Sequence, residues 1–210
     1  MDREMLLHEL HPSVVHLPLA LLPTAAVADL IVVMTGDRAW AKVGRRLWVV
    51  GAGSAVLAGV AGLAASQEVR LEAPRARDMT FVHGAGNAVI TLGALGLMAW
   101  RLGRAPTVTT TVLGLGACAF ALYTASLGGK MVYEQGIGIN PMPGQAPQGT
   151  LKGPLLLSRE APAALVRDAG RGLAWLWGRA RALRSRGEPL ATGATGLGPG
   201  DALPPAYVRA

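Results

Sequence analysis

Apolar residues along the chain fall into four long runs, each about as long as a membrane-spanning helix. The runs cover residues 13–35, 47–66, 80–100 and 106–128. A helix rises about 1.5 Å per residue, so roughly 20 apolar residues cross a hydrocarbon core of about 30 Å. Because a spanning segment must satisfy its own backbone hydrogen bonds, each run is predicted to be a helix. The pattern predicts an all-α integral membrane protein, with residues 1–140 forming a four-helix bundle.

The pattern changes after residue 140. Residues 141–158 are rich in proline, glycine and glutamine and are predicted to be a linker. Residues 159–187 combine arginines with apolar residues at three- and four-residue spacing, which predicts a basic amphipathic helix. Its apolar positions are Leu165, Ala169, Leu173, Leu176, Ala180 and Leu183. Such a helix is typical of the membrane interface. A soluble helix that packs on a partner protein is an equally weighted alternative. Residues 188–210 are predicted to be a disordered tail.

Composition supports the membrane assignment. The chain is 51% hydrophobic and 16% charged, with a mean hydropathy of +0.36. Its net charge of +7 lies mainly in residues 141–210, which carry +5. No nucleic-acid-binding motif accompanies this charge, so we predict lipid or protein partners and no nucleic acid. The single cysteine, Cys118, excludes an intramolecular disulfide, and no Cys-x-x-Cys pair is present.

The charges of the loops favour one orientation only slightly. The two loops on one side of the predicted bundle hold six lysine and arginine residues, and the segments on the other side hold five. Cytoplasmic loops are enriched in lysine and arginine. We therefore predict a multi-pass protein of the bacterial inner membrane with both termini in the periplasm.

The histidines carry most of the functional information, because polar groups in spans are costly and usually face the bundle interior. Of the four histidines, His16 and His83 lie near the starts of the first and third runs. These two spans run in the same direction, which places both imidazoles at one depth near one membrane face. Two imidazoles at one depth can bind the iron of haem b, so we predict His16 and His83 as metal ligands, with His11 as a substitute.

Two other interpretations of this face stay open. A quinone site would use one histidine together with Asn87 or Tyr133 as a hydrogen-bond donor, and Asn87 shares a helix face with His83. Histidines at helix ends also serve only as hydrogen-bonded packing between helices, in which case no cofactor is bound. No catalytic residue is predicted, and an enzymatic activity is less expected than an electron-transfer or accessory role.

Asp29 is a second polar residue inside an apolar run. It lies about 20 Å along the helix from His16, near the opposite membrane face. We predict an ion pair with Arg45 or Arg46 at the start of the second span. A proton relay is the alternative role for this carboxylate.

Several motifs resemble a known family. The segment "HPSVVHLPLALLP" with a following "AD", a histidine at the start of the third span, and "GGKMVYEQGIGI" after the fourth are similar to bacterial four-helix membrane proteins called domain of unknown function 2231. The resemblance covers roughly residues 8–140. Some members are fused to a Rieske iron–sulfur domain. This resemblance implies association with electron-transfer proteins. The tail of this chain has no Cys-x-His pair, and Lys130 stands where some members have histidine.

Two functions follow from these observations. The first is a redox-associated membrane protein that binds haem b or contacts quinone at a histidine-lined periplasmic mouth. The alternative is a non-catalytic accessory subunit of a respiratory or photosynthetic complex. Small-residue ridges would then contact neighbouring subunits, one at Ser54, Ala58 and Gly62 and another at Ala117, Ala121, Ala125 and Gly129.

Overall fold

A computed structural model describes residues 5–69, 71, 73–138 and 153–197. A 3₁₀ turn, Leu7–Glu9, precedes the helices α1 (Leu10–Val14), α2 (His16–Thr35), α3 (Arg38–Glu68), α4 (Pro74–Gly103), α5 (Val108–Tyr133) and α6 (Ala161–Arg186). In this part of the chain, Leu7–Thr35, α3, α4 and α5 are long and apolar enough to cross a membrane. The prediction of an all-α bundle with four spans is confirmed.

Capping residues, rather than the limits of the apolar runs, set the helix ends. The Asp37 carboxylate accepts a hydrogen bond from the Ala39 amide at 2.7 Å, so α3 begins at Arg38, in a stretch of basic residues. Pro74 occupies the first turn of α4, six residues before the predicted apolar run. Gly36 ends α2 with a φ of 72°, a left-handed conformation that favours glycine. The helices are therefore longer than the hydropathy pattern predicts.

The four long helices form a ring in which α2 and α4 each pack against α3 and α5. Small side chains dominate the centre and allow the helix backbones to approach closely. The buried core cluster contains Leu22, Ala25, Ala26, Trp48, Ala52, Ala55 and Ala94. A second cluster of Met79, Leu127 and Met131 lies between α4 and α5. We call the end formed by the start of α2, the end of α3, the start of α4 and the end of α5 the histidine end.

Helix α6 packs on α3 and α4 at the histidine end. Its buried residues are Ala161, Ala164, Asp168 and Gly172. A Cβ atom at Gly172 would collide with the Leu63 carbonyl oxygen, so the two backbones are in direct contact. The predicted helix exists, and part of the predicted apolar stripe faces the bundle: Leu165 packs against the buried cluster of Leu7, Ala161 and Ala164, and Leu176 contacts Gly84. Leu173, from that stripe, is 60% exposed.

Residues 188–197 pack against the bundle, in contrast to the disordered tail predicted for residues 188–210. Arg179 donates two hydrogen bonds to Asp78 of α4, at 2.8 and 2.9 Å, and one to the Pro189 carbonyl at 3.1 Å. Farther along, the Tyr123 hydroxyl donates to the Thr195 carbonyl at 2.7 Å. These polar contacts fix the segment, a constraint that composition does not reveal. Residues 198–210, and residues 141–152 of the predicted linker, lie outside the described residues.

Candidate functional site

Two histidine side chains meet at the histidine end, and they are His11 and His83. Their ring centroids are 6.2 Å apart, and the ring planes are nearly perpendicular, at 87°. His11 belongs to the short helix α1, and His83 lies in the third turn of α4. The contact therefore joins the beginning of the chain to the third span.

Hydrogen bonds to backbone carbonyls determine which ring nitrogen of each histidine carries the proton. His11 Nδ1 lies 3.0 Å from the Ala58 carbonyl oxygen, and His83 Nδ1 lies 2.8 Å from the Thr124 carbonyl oxygen. A carbonyl oxygen only accepts hydrogen bonds, so each Nδ1 carries a proton and donates it. When the rings are neutral, each Nε2 is then an acceptor.

The two Nε2 atoms differ in their surroundings. The Asn87 amide nitrogen lies 3.2 Å from His83 Nε2, and the Asn87 carbonyl oxygen accepts from the Thr124 hydroxyl, also at 3.2 Å. His83 is thus held at both nitrogens. His11 Nε2 makes no hydrogen bond among the described residues and is not among the buried polar atoms that lack a partner. It is the nitrogen of the pair that is free to accept a hydrogen bond from a bound molecule.

Glycines let the helix backbones close around the two rings. A Cβ atom at Gly62 of α3 would lie 2.9 Å from His11 Nδ1, and one at Gly128 of α5 would lie 3.2 Å from His83 Cε1. Larger side chains at these positions would push the rings away. In the predicted ridge of Ser54, Ala58 and Gly62, the last two residues therefore pack inside the bundle against His11.

The structure does not bring His16 or Tyr133 to this pair. His16 is exposed on the outer side of α2, and Tyr133 is 88% exposed. His11 and His16 are five residues apart, which at about 100° per residue turns them to different helix sides. Helical structure begins at Leu7, so His11 is inside a helix and faces α3 and α4. The predicted pair His16–His83 is thus replaced by His11–His83, with Asn87 beside it as predicted.

Thr124 is the site residue that the sequence did not reveal. It is 1% exposed, and its carbonyl and hydroxyl contact both His83 and Asn87. A threonine in an apolar helix is common, because its hydroxyl can bond to the preceding turn. Its position on α5 opposite His83 follows only from the packing of the two helices.

A second polar cluster lies where the N-terminal segment, α3 and α6 meet. His8 Nδ1 lies 3.9 Å from Glu68 Oε2, and both side chains are 4% exposed. Near them on α6, Arg167 donates two hydrogen bonds to Asp168, at 2.9 and 2.7 Å. These bonds hold the pKa of Asp168 below its ordinary value. No group of three or more metal-ligating side chains occurs among the described residues.

At the opposite end of the bundle, Asp29 pairs with Arg101 and not with Arg45 or Arg46. Arg101 Nε lies 3.0 Å from Asp29 Oδ1, and the Trp48 indole donates to Asp29 Oδ2 at 2.8 Å. Arg45 and Arg46 are exposed, whereas Asp29 and Arg101 are 2% and 3% exposed. Because α4 continues to Gly103, Arg101 is inside its last turn and not in a loop.

Both terminal nitrogens of Arg101 also donate to backbone carbonyls. One terminal nitrogen donates to the Arg104 carbonyl at 2.7 Å, and the other donates to the Ala41 carbonyl at 3.0 Å. The guanidinium thus joins α2, α3 and α4 through one hydrogen-bonded group. This arrangement indicates a structural role for Asp29.

The fold, the histidine pair and the buried Asp29–Arg101 pair define a four-helix integral membrane protein with a paired-histidine site at one end. The chain belongs to the family described as predicted membrane protein (DUF2231), whose family model matches residues 7–141. No curated protein and no solved structure matches the chain.

Proposed function

We propose that this protein is a redox-associated membrane protein that binds a quinol at the His11–His83 pair. The observation that supports this is the state of His11, whose Nδ1–H is held by the Ala58 carbonyl while Nε2 has no partner among the described residues. A neutral imidazole in this tautomer accepts a hydrogen bond, and a quinol hydroxyl donates one. Membrane quinols reach such a site from the lipid, where their apolar tails are soluble.

Haem b fits the same residues less well. Each histidine has the carbonyl-bound Nδ1 that is common among metal-ligating histidines. However, the two rings are in direct edge contact, and Asn87 occupies His83 Nε2. Gly62 and Gly128 bring the helix backbones against the rings, so no flat slot for a porphyrin separates them. We therefore favour quinol over haem.

We expect His11→Ala to weaken quinol binding about fivefold, the effect of losing one hydrogen bond of about 1 kcal/mol. Binding of a short-chain quinol to the purified protein would be measured by calorimetry. His16→Ala is the matched control, because His16 is an exposed histidine on the next helix, and its affinity should equal that of the wild type. Equal affinities of the two variants, or no binding to the wild type, would contradict the proposal.

An accessory subunit is the second candidate, and a groove between α4 and α5 favours it. The groove has a volume of about 690 Å³ and is lined by apolar and small residues that include Gly93, Gly96, Leu113 and Ala117. Small residues on a lipid-facing side allow a helix of another protein to pack closely. A second membrane protein that co-purifies with the chain in mild detergent, without any quinol binding, would favour this function.

We also propose an orientation in which both termini lie in the periplasm. It is supported by the small excess of lysine and arginine in the two loops on the opposite side. We expect alkaline phosphatase fused after residue 197 to be active in a bacterial host, because this enzyme needs the oxidising periplasm to form its disulfides. A fusion in the loop of residues 104–107 should be inactive. The reverse pattern would place the histidine end in the cytoplasm.

A further inference from the structure

The outer face of α6 is defined by the contacts of its inner face. Gly172 lies against the Leu63 carbonyl, Leu176 contacts Gly84, and Arg179 is bonded twice to Asp78. These contacts are spread along the helix, so α6 cannot rotate about its axis without breaking them. The opposite face therefore points away from the bundle along its whole length.

This outer face is apolar in its first part and basic in its second. Val166, Leu173 and Trp177 are 73%, 60% and 66% exposed. Arg181 and Arg184 continue the same stripe at four- and three-residue spacing, since residues 173, 177, 181 and 184 share one helix side. Large apolar side chains exposed next to arginines are typical of helices in a membrane interface.

The two arginines of this stripe are available for an external anion. Arg167 and Arg171 already bond to Asp168, and Arg186 lies 3.7 Å from Glu188. By contrast, Arg181 and Arg184 form no ion pair with a described acidic residue, and Arg181 lies over the Trp177 ring at 5.7 Å. The guanidinium group suits phosphate oxygens in charge and geometry.

We propose that the outer face of α6 lies in the headgroup region of the bilayer and binds anionic phospholipids, with Arg181 and Arg184 contacting their phosphates and Val166, Leu173 and Trp177 entering the upper acyl region. Helix α6 crosses the histidine end, where the four spans reach the membrane surface. The interaction would hold anionic lipid beside the His11–His83 pair. It is independent of what that pair binds.

The test uses Trp177 as a local reporter in the full-length protein reconstituted into bilayers. Phosphatidylglycerol or phosphatidylcholine, brominated near the top of the acyl chains, would be supplied at equal mole fraction in a mixed bilayer. The signal of Trp177 is the difference between the wild type and Trp177→Phe. We expect stronger quenching by the brominated phosphatidylglycerol, with a local enrichment of about fivefold for each arginine.

The double variant R181Q/R184Q should lose this preference. Its Trp177 should still be quenched by brominated phosphatidylcholine, and this quenching would show that α6 remains in place. The control R38Q/K42Q removes the same charge from exposed residues at the opposite end and should keep the preference. Equal quenching of the wild type by both lipids would overturn the anionic specificity. Absence of quenching by either lipid would overturn the membrane contact and assign this face to solvent or a protein partner.

Discussion

Replacing either Asp29 or Arg101 by alanine is expected to cost about 3–5 kcal/mol of unfolding free energy, because each change leaves the other charge buried without its partner. Asp29 and Arg101 are 2% and 3% exposed, and the single Nε–H of Arg101 is shared between the two carboxylate oxygens, at 3.0 and 3.1 Å. Unfolding would be followed in mixed micelles with an increasing fraction of denaturing detergent.

Two further variants make this prediction specific. Lys42→Ala removes an exposed charge near the same end and should change stability by less than about 0.5 kcal/mol. The double variant Asp29→Ala with Arg101→Ala removes both charges and should be more stable than the sum of the two single changes predicts. If Asp29→Ala costs no more than Lys42→Ala, the ion pair does not hold α2 to α4.

Gly172→Ala is expected to release α6 from α3. The new methyl group would collide with the Leu63 carbonyl oxygen, which belongs to a helix backbone and cannot move aside. Overpacking of this kind costs about 1–3 kcal/mol. The released helix would expose the half-buried Arg179, so trypsin should cleave within α6 faster than in the wild type.

Gly170→Ala is the matched control, since a Cβ atom at Gly170 meets nothing within 4 Å. Alanine in a helix interior is favoured over glycine by about 1 kcal/mol, so this variant should be cleaved no faster than the wild type. Equal cleavage rates for the two alanine variants would show that α6 does not rest on α3 through Gly172.

The hydropathy of each segment was sufficient to predict the all-α architecture with four spans. Each span contains roughly 20 apolar residues, a signal that does not depend on the rest of the chain. The ends of the helices were harder to predict, because caps such as Asp37 and Pro74 extend helices into polar sequence. The second run is predicted to begin at residue 47, whereas α3 begins at Arg38. Such differences decide which polar side chains lie inside a helix.

The predicted interaction partners of His83 and Asp29 were wrong, because both depend on how the helices pack against each other. His16 and His83 are predicted to pair because they lie at the same depth in the membrane. However, helical structure already begins at Leu7, and His11 is the histidine that faces inward. Arg45 and Arg46 are near the start of the second run, but Arg101 is the arginine that faces Asp29 from α4. Sequence spacing indicates which residues share a helix face, whereas it does not indicate which faces meet.

The buried face of α6 illustrates the same limit. Leucines at three- and four-residue spacing predict one apolar face, but its members divide: Leu176 contacts Gly84 of the bundle, whereas Leu173 is exposed. The buried residues of α6 include the small residues Ala164 and Gly172. In membrane proteins the driving force between helices is close backbone packing, which favours small residues. A leucine stripe is therefore a weaker guide here than in a water-soluble helix.

The most direct test of the paired-histidine site is photoaffinity labelling with a quinol, kept in its reduced form, that carries an azide on its ring. Labelling in membranes, followed by mass spectrometry of the peptides, should place the label on the segment around His11 and on the α4 segment around His83. Excess unlabelled quinol should suppress it, and His11→Ala should lower it, whereas His16→Ala should not. Label confined to the α4–α5 groove near Gly93 and Gly96, or no label at all, would contradict the account.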